Sequence, residues 1–172
     1  MADQLNSLNV PIDPVLRELG RVVFNFNASE QALRRLAFLM IDPGDERIGE
    51  ITVDRLGANG LEELVRALGA YRLAEFDVLA ERVTLAVSRF SAVRLRRNEY
   101  VHAVWVVPND FTDPSEIAAV TRKFRKGTMS NVASLDPRPI AEVASEASAL
   151  SKELQAIHEA AKAFLTARDR RK

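Results

Sequence analysis

Four stretches of this chain place apolar residues at the three- and four-residue spacing of an α-helix, and no other feature limits the fold as much. The last stripe begins after Pro137 and extends for about seven or eight turns. Its members are Ile140, Val143, Ala144, Ala147, Leu150, Leu154, Ile157, Ala161, Phe164 and Leu165. Similar stripes run over 14–40, 61–68 and about 73–97. Because βαβ alternation is missing, the sequence predicts an all-α fold, an antiparallel four-helix bundle.

The length and the residue types exclude several classes of protein. A chain of 172 residues suits a single helical domain, 1–172, that buries roughly two-thirds of its unfolded surface. There is no cysteine, which excludes disulfides, thiolate metal sites and cysteine nucleophiles. No apolar run approaches the roughly 20 residues of a membrane span, and the first residues lack the basic region of a signal peptide. We therefore expect a cytoplasmic protein that has no membrane partner.

The first stripe has a gap at 27–30, which leaves two interpretations open. Either Asn27 caps a second helical segment with Glu30 as its capping-box partner, or one helix runs through. In a continuous helix Glu30 lies on the buried stripe between Phe26 and Leu33 and is a candidate ion partner for Arg97.

Three segments between the stripes are less regular. The segment from Asp42 to Gly60 is rich in Gly and Asp and is expected to be a loop. Residues 100–107 are apolar and β-branched, and we expect them to begin as helix and finish extended before Pro108. Residues 117–126 are followed by Gly127. They are consistent with a strand that pairs with residues 100–107 as a small β-hairpin insert after the third long helix.

The cluster from Arg97 to His102 combines a permanent cation, an amide, a carboxylate and an imidazole within six residues. Imidazole titrates near neutrality and both takes and gives protons, while guanidinium pairs with phosphate oxygens. Cleavage of RNA by its own 2′-hydroxyl needs these two roles. Asn98 and Glu99 are candidates to support the pair. The structural alternative is that Arg97 and Asn98 finish a helix and His102 is a core residue.

The string Arg97-Asn98-Glu99-Tyr100-Val101-His102-Ala103-Val104-Trp105 resembles the signature of HEPN domains. That signature is an arginine, a polar residue after it and a histidine five positions later, near the end of a long helix in a small bundle. The opening helix, with Glu30 ahead of residues 33–36, and the long last helix are also similar in placement.

The resemblance implies a homodimer whose two motifs face each other and form one metal-independent endoribonuclease site. His102 is then the general acid or base, Arg97 binds the scissile phosphate, and Asn98 supports both. The products are a 2′,3′-cyclic phosphate and a 5′-hydroxyl. Family members are commonly toxins, antiphage effectors or RNA-processing enzymes, so an antitoxin protein is an expected partner. No cofactor and no metal ligand set is predicted.

Lys and Arg balance Asp and Glu over the whole chain, but residues 82–126 carry nine basic and four acidic side chains. The candidate RNA-binding cations in this region are Arg94, Arg96, Arg122, Lys123, Arg125 and Lys126. For 122–126, a charged and solvated hairpin edge is the alternative interpretation. Tyr100 and Trp105 either stack on a base or seal the bundle. The second functional hypothesis is a non-catalytic helical dimer that binds a partner protein, a nucleotide or RNA.

Overall fold

The computed structural model describes residues 13–102, 104–106, 118–125, 128–134 and 137–169. Five helices make up most of this part: α1 (Asp13–Ile41), α2 (Glu46–Val53), α3 (Ala58–Arg72), α4 (Asp77–Val101) and α5 (Pro137–Asp169). The predicted all-α framework is confirmed in these helices. Between α4 and α5 the described backbone forms strands β1 (Val104–Val106), β2 (Ala118–Arg125) and β3 (Thr128–Ser134), which pair antiparallel in that order.

The core lies between α1, α4 and α5, the three longest helices. Nearly all members of the predicted last stripe are buried, and they pack against the buried face of α1. Two side chains of α1 fix its position along α5. Asn25 Nδ2 donates to the carbonyl of Ala144 at 2.9 Å, and Ser29 Oγ donates to that of Ala147 at 2.7 Å. Both acceptors belong to alanines, whose small side chains allow the two helix backbones to lie close enough for these bonds to form.

Helix α4 closes the core over this pair through its own buried stripe. The Phe90 ring stacks on Phe26 of α1 with centroids 5.1 Å apart, a contact worth about 0.5–1.5 kcal/mol beyond the burial of the rings. The helical spacing also predicts Leu16 and Phe76 as members of the first and third stripes, but both lie on the surface: Leu16 is 55% exposed and Phe76 is 42% exposed. Phe76 precedes the first residue of α4 and stacks on Phe164 of α5.

Helix α1 is continuous over 29 residues, so the capping-box interpretation of Asn27 and Glu30 is wrong. The gap in the apolar stripe arises because this turn faces polar partners. Ser29 bonds to α5, and Glu30 pairs with Arg34 one turn later at 2.8 Å. Helix α1 ends where Asp42 Oδ1 accepts from the backbone N–H groups of Gly44 and Asp45.

The expectation of a loop from Asp42 to Gly60 is also wrong, because this segment contains α2 and the start of α3. Asp45 is the N-cap of α2, and its side chain accepts from the backbone N–H of Arg47 at 3.0 Å. Gly49 lies inside α2, where a Cβ would lie 2.5 Å from the Cα of Phe38 on α1. The Asp therefore caps α2, and the Gly allows α2 to pack tightly against α1.

The third predicted helix starts later than expected. Leu73 is the C-cap of α3, its N–H bonds to the carbonyl of Gly69, and α4 begins at Asp77. At its other end α4 stops at Val101, and the backbone is extended from Val104, as predicted for this segment.

Candidate active site

The last two turns of α4 carry the predicted catalytic cluster, and part of it lines a pocket of about 280 Å³ between α1, α3 and α4. Helix α4 contributes Arg94, Arg97 and Asn98, which share one face because they are three and four residues apart. Helix α1 contributes Phe26 and Glu30. Residues 57–59 at the start of α3 also line the pocket. Two cations and an amide therefore converge on one concave site.

Arg97 is held in this pocket by apolar and polar contacts at once. Its guanidinium lies over the Phe26 ring, 5.4 Å from the centroid, and its Nη1 donates to Asn98 Oδ1 at 2.9 Å. The Nε atom is buried and has no hydrogen-bond partner among the described residues. No ion pair links Arg97 to a carboxylate in the described part of the chain. Within the described part of the chain, Arg97 thus has no carboxylate partner, and its Nε donor is unused.

The other charges around the pocket are neutralised in pairs. Arg94 Nε donates to Glu62 Oε1 of α3 at 2.8 Å, and the two side chains are only 18% and 10% exposed. Glu30 is paired with Arg34, so the structure does not give it the predicted role of ion partner to Arg97. Arg34 also donates to the carbonyls of Val53 and Leu56, which fixes the connection between α2 and α3. Among the described residues that line the pocket, Arg97 is then the charged side chain for which no ion pair is seen.

His102 is the C-cap of α4, and its backbone N–H bonds to the carbonyl of Asn98 at 3.1 Å. Its side chain is exposed. His102 follows Arg97 by five positions, which in a regular helix corresponds to about 140° of rotation and about 7.5 Å of rise. The two side chains therefore leave α4 in different directions, and His102 does not line the pocket that holds Arg97.

A second, apolar cleft of about 470 Å³ lies beside the end of α4, against the exposed side of α1. Tyr100 and Val101 face Leu19, Val23 and Phe24 across it. The Phe24 ring at its edge is 75% exposed. Burial raises the pKa of the Tyr100 hydroxyl; nearby Arg96 opposes this effect, and Glu99 and Glu142 add to it. Tyr100 therefore belongs to an apolar surface next to His102.

The remaining predicted site residues are distributed differently. Arg96 faces α5, where it pairs with Glu146 at 2.8 Å and with Glu142 at 3.6 Å. Glu99 is exposed on α4. Trp105, Arg122, Lys123 and Arg125 belong to strands whose backbone is described, but their side chains lie outside the described part, as does all of Lys126. The structure therefore does not show where the side chains of the candidate RNA-binding residues at 122–126 lie.

The sequence did not identify the start of α3 as part of this site. Gly57 is the N-cap of α3 in an extended conformation (φ −70°, ψ 170°), and no side chain caps the helix there. The first bond within α3 runs from Leu61 N to Gly57 O at 3.0 Å, so the N–H groups of residues 58–60 have no acceptor in the helix. A glycine before a helical stripe was the only signal in the sequence, and it was assigned to the loop.

Within the described residues, no group of three or more His, Asp or Glu side chains is arranged to hold a metal ion. None of the five described helices combines the length and hydropathy that a membrane span requires. Comparison with protein-family models, with curated proteins and with solved structures finds no match to this chain.

Proposed function

We propose that this protein is a metal-independent endoribonuclease of the HEPN type that acts as a homodimer. The observation that carries the proposal is the state of Arg97, a partly buried cation without a carboxylate partner among the residues that the structure describes, on the helix that ends at exposed His102. A buried charge is normally paired, so one that is left over in a pocket fits an anionic ligand. The arrangement proposed for the fold is an antiparallel four-helix bundle with a small β-hairpin insert.

The proposed chemistry is attack of the RNA 2′-hydroxyl on the adjacent phosphorus. The new bond joins the 2′-oxygen to phosphorus, the bond to the 5′-oxygen breaks, and a 2′,3′-cyclic phosphate and a 5′-hydroxyl result. His102 takes the proton of the 2′-hydroxyl or delivers one to the leaving oxygen. Arg97 binds the phosphate and stabilises the charge that grows on its oxygens. Asn98 holds the guanidinium through the 2.9 Å bond.

A second copy of the chain is needed because one α4 helix directs Arg97 and His102 about 140° apart. We propose that His102 of one protomer meets the phosphate bound by Arg97 of the other. The apolar cleft beside Tyr100, with Phe24 at its edge, lies next to this end of α4 and is the surface we assign to the dimer contact. A cytoplasmic location and restraint by an antitoxin protein belong to the same proposal.

Cleavage is tested by incubating the purified protein with mixed RNA in EDTA and analysing the ends of the products. We expect cyclic-phosphate and 5′-hydroxyl ends, and no cleavage of an oligonucleotide whose reactive 2′-hydroxyls are replaced by hydrogen. Activity should vanish in His102→Ala and in Arg97→Ala. Two controls should keep it: His158→Ala removes the other histidine, and Arg89→Ala removes a cation of α4 that pairs with Glu153. Full activity in either site variant refutes the assignment.

The second candidate is a binding module that uses the same pocket without cutting RNA. The exposed and solvated position of His102, outside the pocket of Arg97, favours this alternative. It predicts that RNA binding depends on Arg97, is unaffected by His102→Ala, and leaves the RNA intact. The two candidates therefore differ in one measurement, the effect of His102→Ala on the products.

A further inference from the structure

Cleavage of RNA by its own 2′-hydroxyl moves two protons, one at each end of the reacting group. The 2′-hydroxyl loses a proton when its oxygen attacks the phosphorus, and the 5′-oxygen gains one when it leaves. His102 leaves α4 in a different direction from Arg97 and does not line the pocket, so in the proposed dimer a single imidazole, that of the second protomer, serves each phosphate. One imidazole cannot act as base and as acid in the same step. The site therefore needs a second proton-transfer group.

Glu30 is the side chain of the pocket that can fill this role. The charged residues that line the pocket in the described part of the chain are Glu30, Arg94 and Arg97. An arginine in a protein stays protonated and cannot accept a proton. Among these lining residues the proton acceptor is therefore the carboxylate, a group that enzymes commonly use as a general base.

The Glu30 carboxylate belongs to the same part of the pocket as the guanidinium of Arg97. Arg97 lies over the Phe26 ring, 5.4 Å from its centroid. Glu30 follows Phe26 by four positions, so it shares that face of α1 and lies about 6 Å further along the helix axis. A single ribose and its 3′-phosphate span this separation.

Arg34 fixes the Glu30 carboxylate and leaves one of its oxygens available. Arg34 Nη2 donates to Glu30 Oε1 at 2.8 Å. The same guanidinium donates to the carbonyls of Val53 and Leu56, both at 3.2 Å, which ties it to the backbone between α2 and α3. Glu30 Oε2 has no hydrogen-bond partner among the described residues, and the side chain is 24% exposed. The carboxylate is therefore oriented in advance and keeps an acceptor that a hydroxyl can approach.

We propose that Glu30 is the general base of the cleavage and that His102 of the second protomer is the general acid, an assignment that rests on the proposed nuclease function. Glu30 Oε2 takes the proton of the 2′-hydroxyl as the 2′-oxygen bonds to phosphorus. The bond from phosphorus to the 5′-oxygen breaks, and the protonated imidazole gives that oxygen its proton. Arg97 stabilises the charge on the phosphate oxygens. Proton exchange with water then restores the carboxylate and the imidazolium.

This role gives Glu30 opposite effects on cleavage and on binding. Its negative charge repels a phosphate in the same pocket, so removal of the charge should leave RNA affinity unchanged or raise it. Loss of a general base should at the same time slow cleavage by about 10²–10⁴-fold. A Glu30 that only supported the fold through Arg34 would not separate the two effects in this way.

The experiment compares Glu30→Gln with the parent on two RNA oligonucleotides that contain a cleavage site, one normal and one with sulfur in place of the scissile 5′-oxygen. Glutamine keeps an oxygen that accepts from Arg34, and circular dichroism checks that the variant is folded. On the normal RNA, Glu30→Gln should be slower by about 10²–10⁴-fold. A thiolate leaves without a proton because thiols are far more acidic than alcohols. The sulfur RNA should therefore restore cleavage to His102→Ala but not to Glu30→Gln.

Glu18→Gln is the matched control, because Glu18 is also paired with an arginine of α1, Arg21, but does not line the pocket. It should cut both oligonucleotides as the parent does. Binding is measured with an oligonucleotide whose 2′-hydroxyls are replaced by hydrogen, which cannot be cut. Its affinity for Glu30→Gln should equal or exceed its affinity for the parent.

The outcomes separate the role of Glu30 from the nuclease itself. If the parent cuts RNA and Glu30→Gln cuts the normal oligonucleotide equally fast, or recovers on the sulfur oligonucleotide, Glu30 is not the base and the nuclease still stands. Weaker binding by Glu30→Gln, or no recovery of His102→Ala on the sulfur oligonucleotide, also overturns the assignment. A parent that cuts neither oligonucleotide refutes the proposed nuclease and this assignment with it.

Discussion

Replacing Arg97 by methionine should leave the stability of the protein nearly unchanged, whereas the same replacement at Arg94, three residues earlier on α4, should be costly. Both arginines line the same pocket and both are partly buried. They differ in their partners. Arg94 is bonded to a Glu62 carboxylate that is only 10% exposed, while the partners of Arg97 among the described residues are the neutral Asn98 amide and the Phe26 ring.

The expected magnitudes follow from these contacts. Arg97→Met loses a cation–π contact worth about 0.5–1 kcal/mol and a hydrogen bond worth about 0.5–1.5 kcal/mol. It also removes a buried Nε that lacks a partner, a defect that costs about 1–3 kcal/mol. The free energy of unfolding should therefore change by less than about 1 kcal/mol. Arg94→Met leaves the Glu62 carboxylate buried without a partner and should cost about 3 kcal/mol.

Urea unfolding followed by circular dichroism measures both changes, at one protein concentration because a dimer's stability depends on it. The double variant Arg94→Met with Glu62→Leu should regain most of the loss, since it removes the unpaired carboxylate. A loss of 2 kcal/mol or more in Arg97→Met would show that Arg97 is a structural residue, and the reasoning that assigns it to a ligand would fail.

Two further predictions concern the helices and one side chain. Gly20→Ala should stabilise α1 by about 0.5–1 kcal/mol because its Cβ meets no atom within 4 Å. Gly49→Ala should instead cost about 1–3 kcal/mol because its Cβ would overlap Phe38. If the urea unfolding midpoints of the two variants move in the same direction, the close packing of α2 on α1 at Gly49 is contradicted. In Tyr71→Phe the phenolate absorbance reports Tyr100 alone and should titrate above 10.0. Stability should then fall as the pH rises from 10.0 through that raised pKa, and a midpoint at or below 10.0 contradicts burial.

Apolar periodicity located α1 and α5 because each buries an apolar stripe over most of its length. It failed for α2, an eight-residue helix with only Gly49 and Val53 buried, where the pattern is too short to recognise. Asp45 and Gly49 belong to the residues that indicated a loop. Asp45 is the N-cap of α2, whereas Gly49 makes a close contact that depends on Phe38 of α1. The local sequence does not indicate such a contact between two helices.

The candidate site, like the fold, was predicted only in part from the sequence. The cluster from Arg97 to His102 was recognised because its residue types are close together in sequence. The pairing of Arg94 with Glu62, and the position of residues 57–59 in the pocket of Arg97, join segments about 30 to 40 residues apart, and only the packing of α3 on α4 brings them together. The direction of His102 away from Arg97 follows from helix geometry once α4 is known to continue to Val101.

The most direct test of the central claim mixes two inactive variants. Arg97→Ala and His102→Ala are each purified, partly unfolded together and refolded so that mixed dimers form, and cleavage of RNA in EDTA is compared with that of each variant alone. A mixed dimer keeps one intact Arg97 and one intact His102 on different protomers, so cleavage should return. If verified mixed dimers remain as inactive as the separate variants while the parent cuts RNA, the two residues do not act across a dimer.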